Sequence, residues 1–306
     1  MTVHRLRLAT RGSPLALAQA YHVEAELARL SDGAISCEIV SFTTKGDQLT
    51  DRRLTEAGGK GLFTRELDRA IDDGEADIAV HSLKDVPSLL PEGQEFVCFP
   101  PREDAREAFM SLKAADPADL PEGARVGTAS LRRQAQLLNL RPDLEVVTFR
   151  GNVQTRLKKL EDGEADATFL ALAGLNRLGM ADAAAGILDK DRFLPAPGQG
   201  IVAVTARIGA LHNDVRAALA AMNDADAERA AHAERGFLLE MDGSCRTPLA
   251  AHLFLEADRV QLVGEFLSED GANRFRAEEG LPGRPDIEAL VALGRHVGSR
   301  VRAQME

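Results

Sequence analysis

The residues best suited to chemistry in this chain are cations placed beside glycines and small polar residues. They lie at predicted strand ends, helix starts or loops, and the set is Arg11, Lys60, Lys84, Arg132, Arg133, Arg150, Arg156 and Arg177. Helix starts offer unpaired backbone N–H groups and a positive dipole end, which favour anions. Arginine binds carboxylates through two parallel hydrogen bonds. The set predicts one cleft for a ligand with several carboxylates or phosphates, although each member alone is explained equally well as a solvated cation.

One acid and one thiol stand out beside these cations. Asp85 follows Lys84, and a carboxylate among cations stays ionised and can stabilise a developing positive charge. Cys245 lies in a glycine/serine loop, where a thiol is accessible for reaction. A plain ion pair for Asp85 and an inert thiol for Cys245 stay open as alternatives. The sequence has no His-x-x-x-His pair and no Cys-x-x-Cys, so we expect no metal site.

Composition narrows the classes of function. The 306 residues carry a formal net charge of −11 and include no Trp, one Tyr and 12 Phe. An acidic protein with few aromatic side chains is a poor nucleic-acid binder. Its three cysteines do not make a disulfide framework. Because we see no apolar run long enough for a membrane span and no signal-peptide pattern, we expect a soluble cytoplasmic protein.

The elements that must position these residues alternate between strands and helices. The first part of the chain predicts strands at 3–9, 37–43 and 77–81 and helices at 14–30 and 62–72. A second part predicts strands at 125–127, 144–149 and 167–171 and helices at 131–140 and 152–161. The string DGEAD occurs in both parts, at 73–77 and 162–166. We predict an α/β fold of two similar lobes with doubly wound, mostly parallel sheets, whose ligand binds at strand ends.

The remaining segments predict a hinge and a third domain. A Pro/Gly segment at 194–200 is a candidate hinge, and a strand at 201–205 is expected to return to the first lobe. Helices at 224–239 and 286–302 flank alternating runs at 249–255, 260–267 and 274–278, which predict a small α+β domain with an antiparallel sheet. The expected division is 1–100 plus 201–219 for the first lobe, 101–200 for the second lobe with the hinge, and 220–306 for the C-terminal domain.

Several strings of residues resemble those of a known family in order and spacing. They are ATRGSPLA at 9–16, GGKGLF at 58–63, AVHSLKDVP at 79–87, GTASLRR at 127–133, RGNVQTR at 150–156 and LPAPGQG at 194–200. Each string alone has little specificity, whereas the ordered set is highly specific. Along nearly its whole length the chain resembles the porphobilinogen deaminases, also called hydroxymethylbilane synthases.

This resemblance implies two lobes like those of periplasmic solute-binding proteins and a third domain that carries a cofactor. Cys245 matches the residue that holds a dipyrromethane through a thioether. The family loop usually reads Gly-Gly-Cys, and here Ser244 replaces the second glycine. Some members have a cation just before the Gly-Gly-Lys loop, where this chain has Glu56. The carboxylate contact of that cation has no counterpart at this position.

The implied activity is that of a monomeric transferase of tetrapyrrole and heme biosynthesis. Four porphobilinogen molecules condense with loss of ammonia onto the dipyrromethane primer, and water then releases hydroxymethylbilane. Asp85 is the implied catalytic residue. The implied cofactor-binding residues are Cys245, Lys84, Ser82, Thr128, Ser130, Arg132, Arg133 and Arg150. The implied substrate-binding residues are Arg11, Ser13, Lys60, Arg150, Arg156, Arg177 and Gln199.

Two other functions fit the same residues. A non-enzymatic, anion-binding solute-binding protein would also have two α/β lobes, but it needs no covalent pyrrole on Cys245. An enzyme that uses Lys84 or Lys60 as a Schiff-base nucleophile is the other alternative, and borohydride trapping on either lysine would support it.

Overall fold

The first lobe is built on a five-stranded sheet. The computed structural model describes residues 3–48, 61–243 and 247–306. The strands are β1 (His4–Arg11), β2 (Ile35–Phe42), β3 (Ile78–Ser82), β4 (Gln94–Cys98) and β10 (Val202–Arg207), in the order β2-β1-β3-β10-β4. β1 is parallel to β2 and β3, whereas β10 is antiparallel to both of its neighbours. Four strands therefore share one direction, and only β10 runs against them.

The helices of this lobe are α1 (Pro14–Leu30), α2 (Lys45–Gln48), α3 (Arg65–Asp72) and α7 (Asn213–Met222). α1 begins at Pro14 because the Ser13 hydroxyl accepts the backbone N–H of Ala16, and proline at the first position has no N–H to satisfy. Val23 and Leu27 of α1 pack against the sheet in the buried core of this lobe.

The second lobe repeats the arrangement. Its strands are β5 (Glu107–Ser111), β6 (Arg125–Gly127), β7 (Glu145–Val147), β8 (Ala167–Ala171) and β9 (Gly186–Leu188), in the order β7-β6-β8-β5-β9. β6 is parallel to β7 and β8, and β5 is antiparallel to β8 and β9. The helices are α4 (Leu131–Leu140), α5 (Val153–Glu161) and α6 (Leu172–Arg177). The reversed strand, β5 here and β10 in the first lobe, occupies the same place in both sheets.

The repeated DGEAD string plays the same structural part in both lobes. The carboxylate of Asp77 accepts the backbone N–H of Arg7 at 2.7 Å, just before β3 begins. The carboxylate of Asp166 accepts the backbone N–H of Arg125 at 2.8 Å, just before β8 begins. Each aspartate thus ties the start of its strand to the neighbouring parallel strand. The predicted internal repeat is therefore a repeat in three dimensions.

The C-terminal part is a three-stranded antiparallel sheet covered by helices. It consists of α8 (Ala225–Glu240), β11 (Leu249–Leu255), β12 (Arg259–Leu267), β13 (Arg274–Pro282) and α9 (Ile287–Arg302), with strand order β11-β12-β13. Phe237, Leu262 and Leu290 lie in its buried core. A side chain at Gly294 would clash with the carbonyl oxygen of Ala233, so glycine allows α8 and α9 to pack closely. The predicted fold class is confirmed.

Several elements differ from the sequence-based prediction. The prediction missed β4, β5, β9, α2 and α7, and it placed Arg177 in a loop, whereas Arg177 ends α6. β5 was missed because it is short and begins at a charged residue, Glu107, which is nevertheless fully buried. After residue 200 the chain adds a strand to the sheet of the first lobe, where β10 lies between β3 and β4. Within the described residues, no helix has the length and apolar character to cross a membrane.

Candidate active site

One large cavity lies between the two lobes and reaches the C-terminal domain. Its volume is about 1450 Å³, which exceeds the roughly 300–1,000 Å³ of usual small-ligand pockets. Ser13 and Ser130 line it at the starts of α1 and α4, where each hydroxyl accepts a backbone N–H. Asn152 lines it at the start of α5 and caps that helix in the same way. Three helix N-termini therefore border one space, which favours an anionic ligand.

Most of the predicted site residues line this cavity. They are Arg11, Ser13, Lys84, Asp85, Ser130, Arg132, Arg133, Arg150, Arg156 and Gln199. Lys60, Cys245 and Glu56 lie outside the described residues. Gly61, beside Lys60, lines the cavity, and so do Gly243 and Thr247 on either side of the segment that contains Cys245.

Three predicted residues are not part of the cavity lining. Ser82 exchanges hydrogen bonds with the Gln19 side chain in the first lobe. The hydroxyl of Thr128 accepts the backbone N–H of Ser130 at 3.1 Å, so it shapes the turn before α4. Arg177 donates to the carbonyl oxygen of Gly200 at 2.7 Å. Each of these three residues therefore holds neighbouring segments of the chain together.

Asp85 lies in a short network with one arginine. Nη1 of Arg11 is 3.2 Å from Oδ2 of Asp85, and the same guanidinium donates to both carboxylate oxygens of Asp47. The Arg11 guanidinium also lies over the Phe63 ring, 4.3 Å from its centre. Sequence reasoning missed Asp47 and Phe63, because nothing in their local pattern marks them as neighbours of Arg11.

Lys84 reaches across from the turn after β3 to the Pro/Gly segment at 194–200. Its Nζ donates to Oε1 of Gln199 at 3.2 Å. Burial, with smaller contributions from the charges of Arg133 and Arg132, lowers the pKa of Lys84 to about 8. Gly198 has a φ of +76°, and a side chain there would meet the backbone nitrogen of Lys84 at 3.1 Å. Glycine thus allows the Pro/Gly segment at 194–200 to approach the turn that contains Lys84.

A buried carboxylate from β5 orders the arginines of α4. Glu107 is fully buried and pairs with Arg132 through one oxygen and with Arg133 through the other. Gln199 donates to Glu107 at 3.1 Å. Burial alone would raise the pKa of Glu107, but the charges of Arg133 and Arg132 outweigh it and lower that pKa to about 2. Sequence reasoning missed Glu107 together with its strand, because an acid that follows Arg106 and precedes a short apolar run gives no local signal of burial.

The remaining cations crowd one another in the second lobe. Burial, together with the nearby charges of Arg133 and Arg150, lowers the pKa of Arg156 to about 10. Nε of Arg156 donates to the carbonyl oxygen of Gly151. Arg150 crosses to the first lobe, where it donates to the carbonyl oxygen of Gly46 at 3.2 Å. An anion bound among these cations would reduce the repulsion between them.

The cavity can therefore bind a ligand with several carboxylates, and it places the carboxylate of Asp85 beside that ligand. The single negative charge of Glu107 faces two guanidinium groups, which leaves a positive excess at that wall. Nε of Arg133 is buried and has no hydrogen-bond partner among the described residues. A buried donor without a partner is costly, and a ligand oxygen would satisfy it.

Two models of one protein family match most of the chain. The family described as "Porphobilinogen deaminase, dipyromethane cofactor binding domain" matches residues 6–213, and "Porphobilinogen deaminase, C-terminal domain" matches residues 229–303. A TRAP periplasmic solute binding protein from Desulfovibrio salexigens has a similar structure, with a TM-score of 0.46 and 13% identity over 74% of each chain.

Two curated relatives extend over almost the whole chain. A protein named porphobilinogen deaminase from Nitrobacter winogradskyi is 50% identical over 291 residues, which cover 94% of this chain and 91% of the relative. Another of that name, from Nitrobacter hamburgensis, is 50% identical over 287 residues, with coverage of 93% and 90%. This chain belongs to the porphobilinogen deaminase family.

Proposed function

We propose that this chain is a transferase that condenses four porphobilinogen molecules, with loss of ammonia, and releases hydroxymethylbilane. Family membership over residues 6–213 and 229–303 supports this activity. The observation that carries the chemical assignment is the position of Asp85, a carboxylate in a cavity lined by seven Arg and Lys side chains. Those side chains are Arg11, Lys84, Arg132, Arg133, Arg150, Arg156 and Lys159.

The negative charges of porphobilinogen are complementary to the cations that line the cavity. Porphobilinogen carries an acetate and a propionate, both ionised at neutral pH, and guanidinium groups bind carboxylates bidentately. We assign Arg150 and Arg156 to these carboxylates, with the N-terminus of α5 beside them. Arg11, which already contacts Asp47 and Asp85, is better placed to orient Asp85 than to bind a further carboxylate.

Asp85 is proposed to act on the charge that develops as ammonia leaves. The substrate amine reacts in its protonated form: the carbon–nitrogen bond breaks, its electron pair leaves with the nitrogen as ammonia, and the substrate becomes an electron-poor azafulvenium cation. An ionised carboxylate beside the pyrrole N–H stabilises that cation most in a site shielded from water. A new carbon–carbon bond then forms, and the ring proton that must leave can be accepted by a carboxylate oxygen of Asp85.

The residues present fit a dipyrromethane cofactor. Its carboxylates are complementary in charge to Arg132 and Arg133, which lie beside the N-terminus of α4. Nε of Arg133 is a buried donor that has no acceptor among the described residues. Cys245 is separated by one residue from each of Gly243 and Thr247, which line the same cavity, so its thiol is proposed as the attachment point. The bound cofactor would supply the nucleophilic pyrrole carbon to which the first substrate unit is joined.

The three sheets support the proposed domain division. We assign 1–100 with 201–219 to the first lobe, 101–200 to the second lobe and 220–306 to the C-terminal domain, because each range holds one sheet. Ligand growth within one cavity between two lobes requires the lobes to move. We further propose a cytoplasmic monomer that acts without nucleic acid or membrane.

Mass and turnover measured on one preparation test the proposal. The expected intact mass exceeds the sequence mass by one dipyrromethane, mapped to the peptide with Cys245, and added porphobilinogen is consumed with one ammonia released per molecule. An unmodified Cys245 in active protein would contradict the cofactor assignment. Binding of porphobilinogen without ammonia release would favour a solute-binding protein, and borohydride trapping on Lys84 or Lys60 would favour a Schiff-base enzyme.

A further inference from the structure

Three side chains of the types that bind metals lie close together, away from the large cavity. His4 is the first residue of β1, His212 caps α7, and Asp214 lies in the first turn of that helix. One ligand atom from each of the three lies within 4.8 Å of the others. None of these residues lines the large cavity, so the cluster is separate from the site described above.

Distances within the cluster match metal ligands better than hydrogen bonds. Nε2 of His4 is 3.4 Å from Oδ2 of Asp214, and Nδ1 of His212 is 3.5 Å from the same oxygen. Good N–H···O hydrogen bonds are about 2.7–3.2 Å long. Zinc bonds of about 2.1 Å place two tetrahedral ligands about 3.4 Å apart. Both measured separations equal the edge of that tetrahedron.

We propose that His4, His212 and Asp214 bind one zinc ion, with a water molecule as the fourth ligand. Two imidazoles and one carboxylate are a ligand set that zinc accepts. His4 is held in the fold, with 15% of its side chain exposed, whereas His212 and Asp214 are 60% and 68% exposed. The two exposed side chains can therefore rotate to close the remaining gap around the ion.

The surroundings leave room for the fourth ligand. His4 and Asp214 also line a second cavity of about 380 Å³, whose other walls include Ser31 and small alanine side chains. A cation at a helix N-terminus is disfavoured by the dipole, and the charge of Asp214 offsets that cost. The zinc ion would replace one long contact, the 3.3 Å bond from the Asp214 N–H to Nδ1 of His212.

Sequence spacing predicted no metal site, and this inference revises that expectation. Local motifs such as His-x-x-x-His detect ligands on one element. Here His4 and Asp214 are 210 positions apart and meet only because β1 and α7 pack in the same lobe. The ion would tether the beginning of β1 to the beginning of α7, so its expected effect is on the stability of the first lobe.

Metal titration of the holoenzyme tests the proposal. The protein is first stripped with a chelator and then titrated with zinc chloride by calorimetry, and with cobalt(II) chloride followed by visible absorption. We expect one ion per chain, the d–d bands of tetrahedral cobalt, and a higher melting temperature with zinc, since a ligand specific to the folded state stabilises it. Turnover of porphobilinogen should stay unchanged.

Variants separate this site from adventitious binding. His212→Ala and Asp214→Asn should each weaken zinc binding by more than about 100-fold, because losing even an outer-shell partner costs 10–100-fold. His22→Ala, which removes an exposed histidine of α1, should bind zinc as the parent does. Unchanged turnover in the variants shows that they fold. The proposal is overturned if the parent binds no zinc at millimolar concentration, or if His212→Ala binds it equally well.

Discussion

The Asp85 carboxylate lies 3.2 Å from Nη1 of Arg11, and that one guanidinium is shared with Asp47. One positive charge thus faces two carboxylates, so the group as a whole keeps a net negative charge. Because 23% of the Asp85 side chain is exposed, part of it faces the cavity. Arg11 fixes the position of Asp85 without cancelling its charge, as stabilisation of a cation requires.

Asp85→Asn keeps the shape of the side chain and removes its charge. We expect kcat for porphobilinogen consumption to fall by about 100- to 1,000-fold, the usual effect of losing one preorganised electrostatic group. Asp47→Asn, which removes the other partner of Arg11, is the matched control and should cost less than about tenfold. Ammonia release measures both variants. If kcat of the Asp85→Asn variant stayed within threefold of the parent value, the catalytic role of Asp85 would be contradicted.

Lys84 should give the enzyme a pH-dependent affinity for its anionic substrate. Its pKa is lowered to about 8, so the charge is present below that pH and is lost as the pH rises through it. KM should therefore rise above pH 8. Lys84→Arg keeps a charge throughout this range, because arginine stays protonated to about pH 12. Initial rates from pH 6.5 to 9.5 test this, and an equal rise of KM in both proteins would refute the assignment to Lys84.

Glu107→Gln should destabilise the second lobe. It leaves Arg132 and Arg133 buried without their counter-charge, which costs about 3–5 kcal/mol for a broken buried pair. Urea unfolding measures the loss at pH 7. Glu92→Gln, at an exposed carboxylate, is the control and should change little.

The pH dependence of that loss follows from the sign of the shift. Glu107 has a pKa lowered from 4.5 to about 2, so its ionised form stabilises the folded state fully above pH 4.5. That contribution disappears as the pH falls from 4.5 toward 2. The gap in unfolding free energy between parent and Glu107→Gln should narrow over this window, and a gap that widens on acidification would contradict the ion-pair explanation.

Arg150→Leu should impair loading of the cofactor or the first condensations. Arg150 is buried at the boundary of the lobes and contacts the carbonyl oxygen of Gly46. Intact mass spectrometry is expected to show protein without dipyrromethane, or protein that stalls after few additions. Arg295→Leu, at an exposed position on α9, is the control. Normal loading and normal kinetics in Arg150→Leu would make this residue peripheral.

Local sequence patterns were enough to predict much of the fold. Ser13 followed by Pro14 predicted where α1 begins, and Asn152 marked the start of α5. These signals are local, because a cap depends on hydrogen bonds within one turn. The two DGEAD strings predicted the internal repeat for a similar reason, since each string forms one turn and one strand start. Most of the cations of the site were also predicted, because they lie at the ends of elements.

Only the tertiary structure decided which charges meet. Nothing in the local sequence marks Glu107, and only the packing of β5 places its carboxylate between Arg132 and Arg133. Asp47 became a partner of Arg11, and His4 met Asp214, through packing of segments that are distant in the chain. Coulomb and hydrogen-bond energies depend on distance in space, and a sequence gives only distance along the chain. The sequence therefore determined the elements and the types of residue at their ends, while their pairing was decided by how the sheets and helices pack.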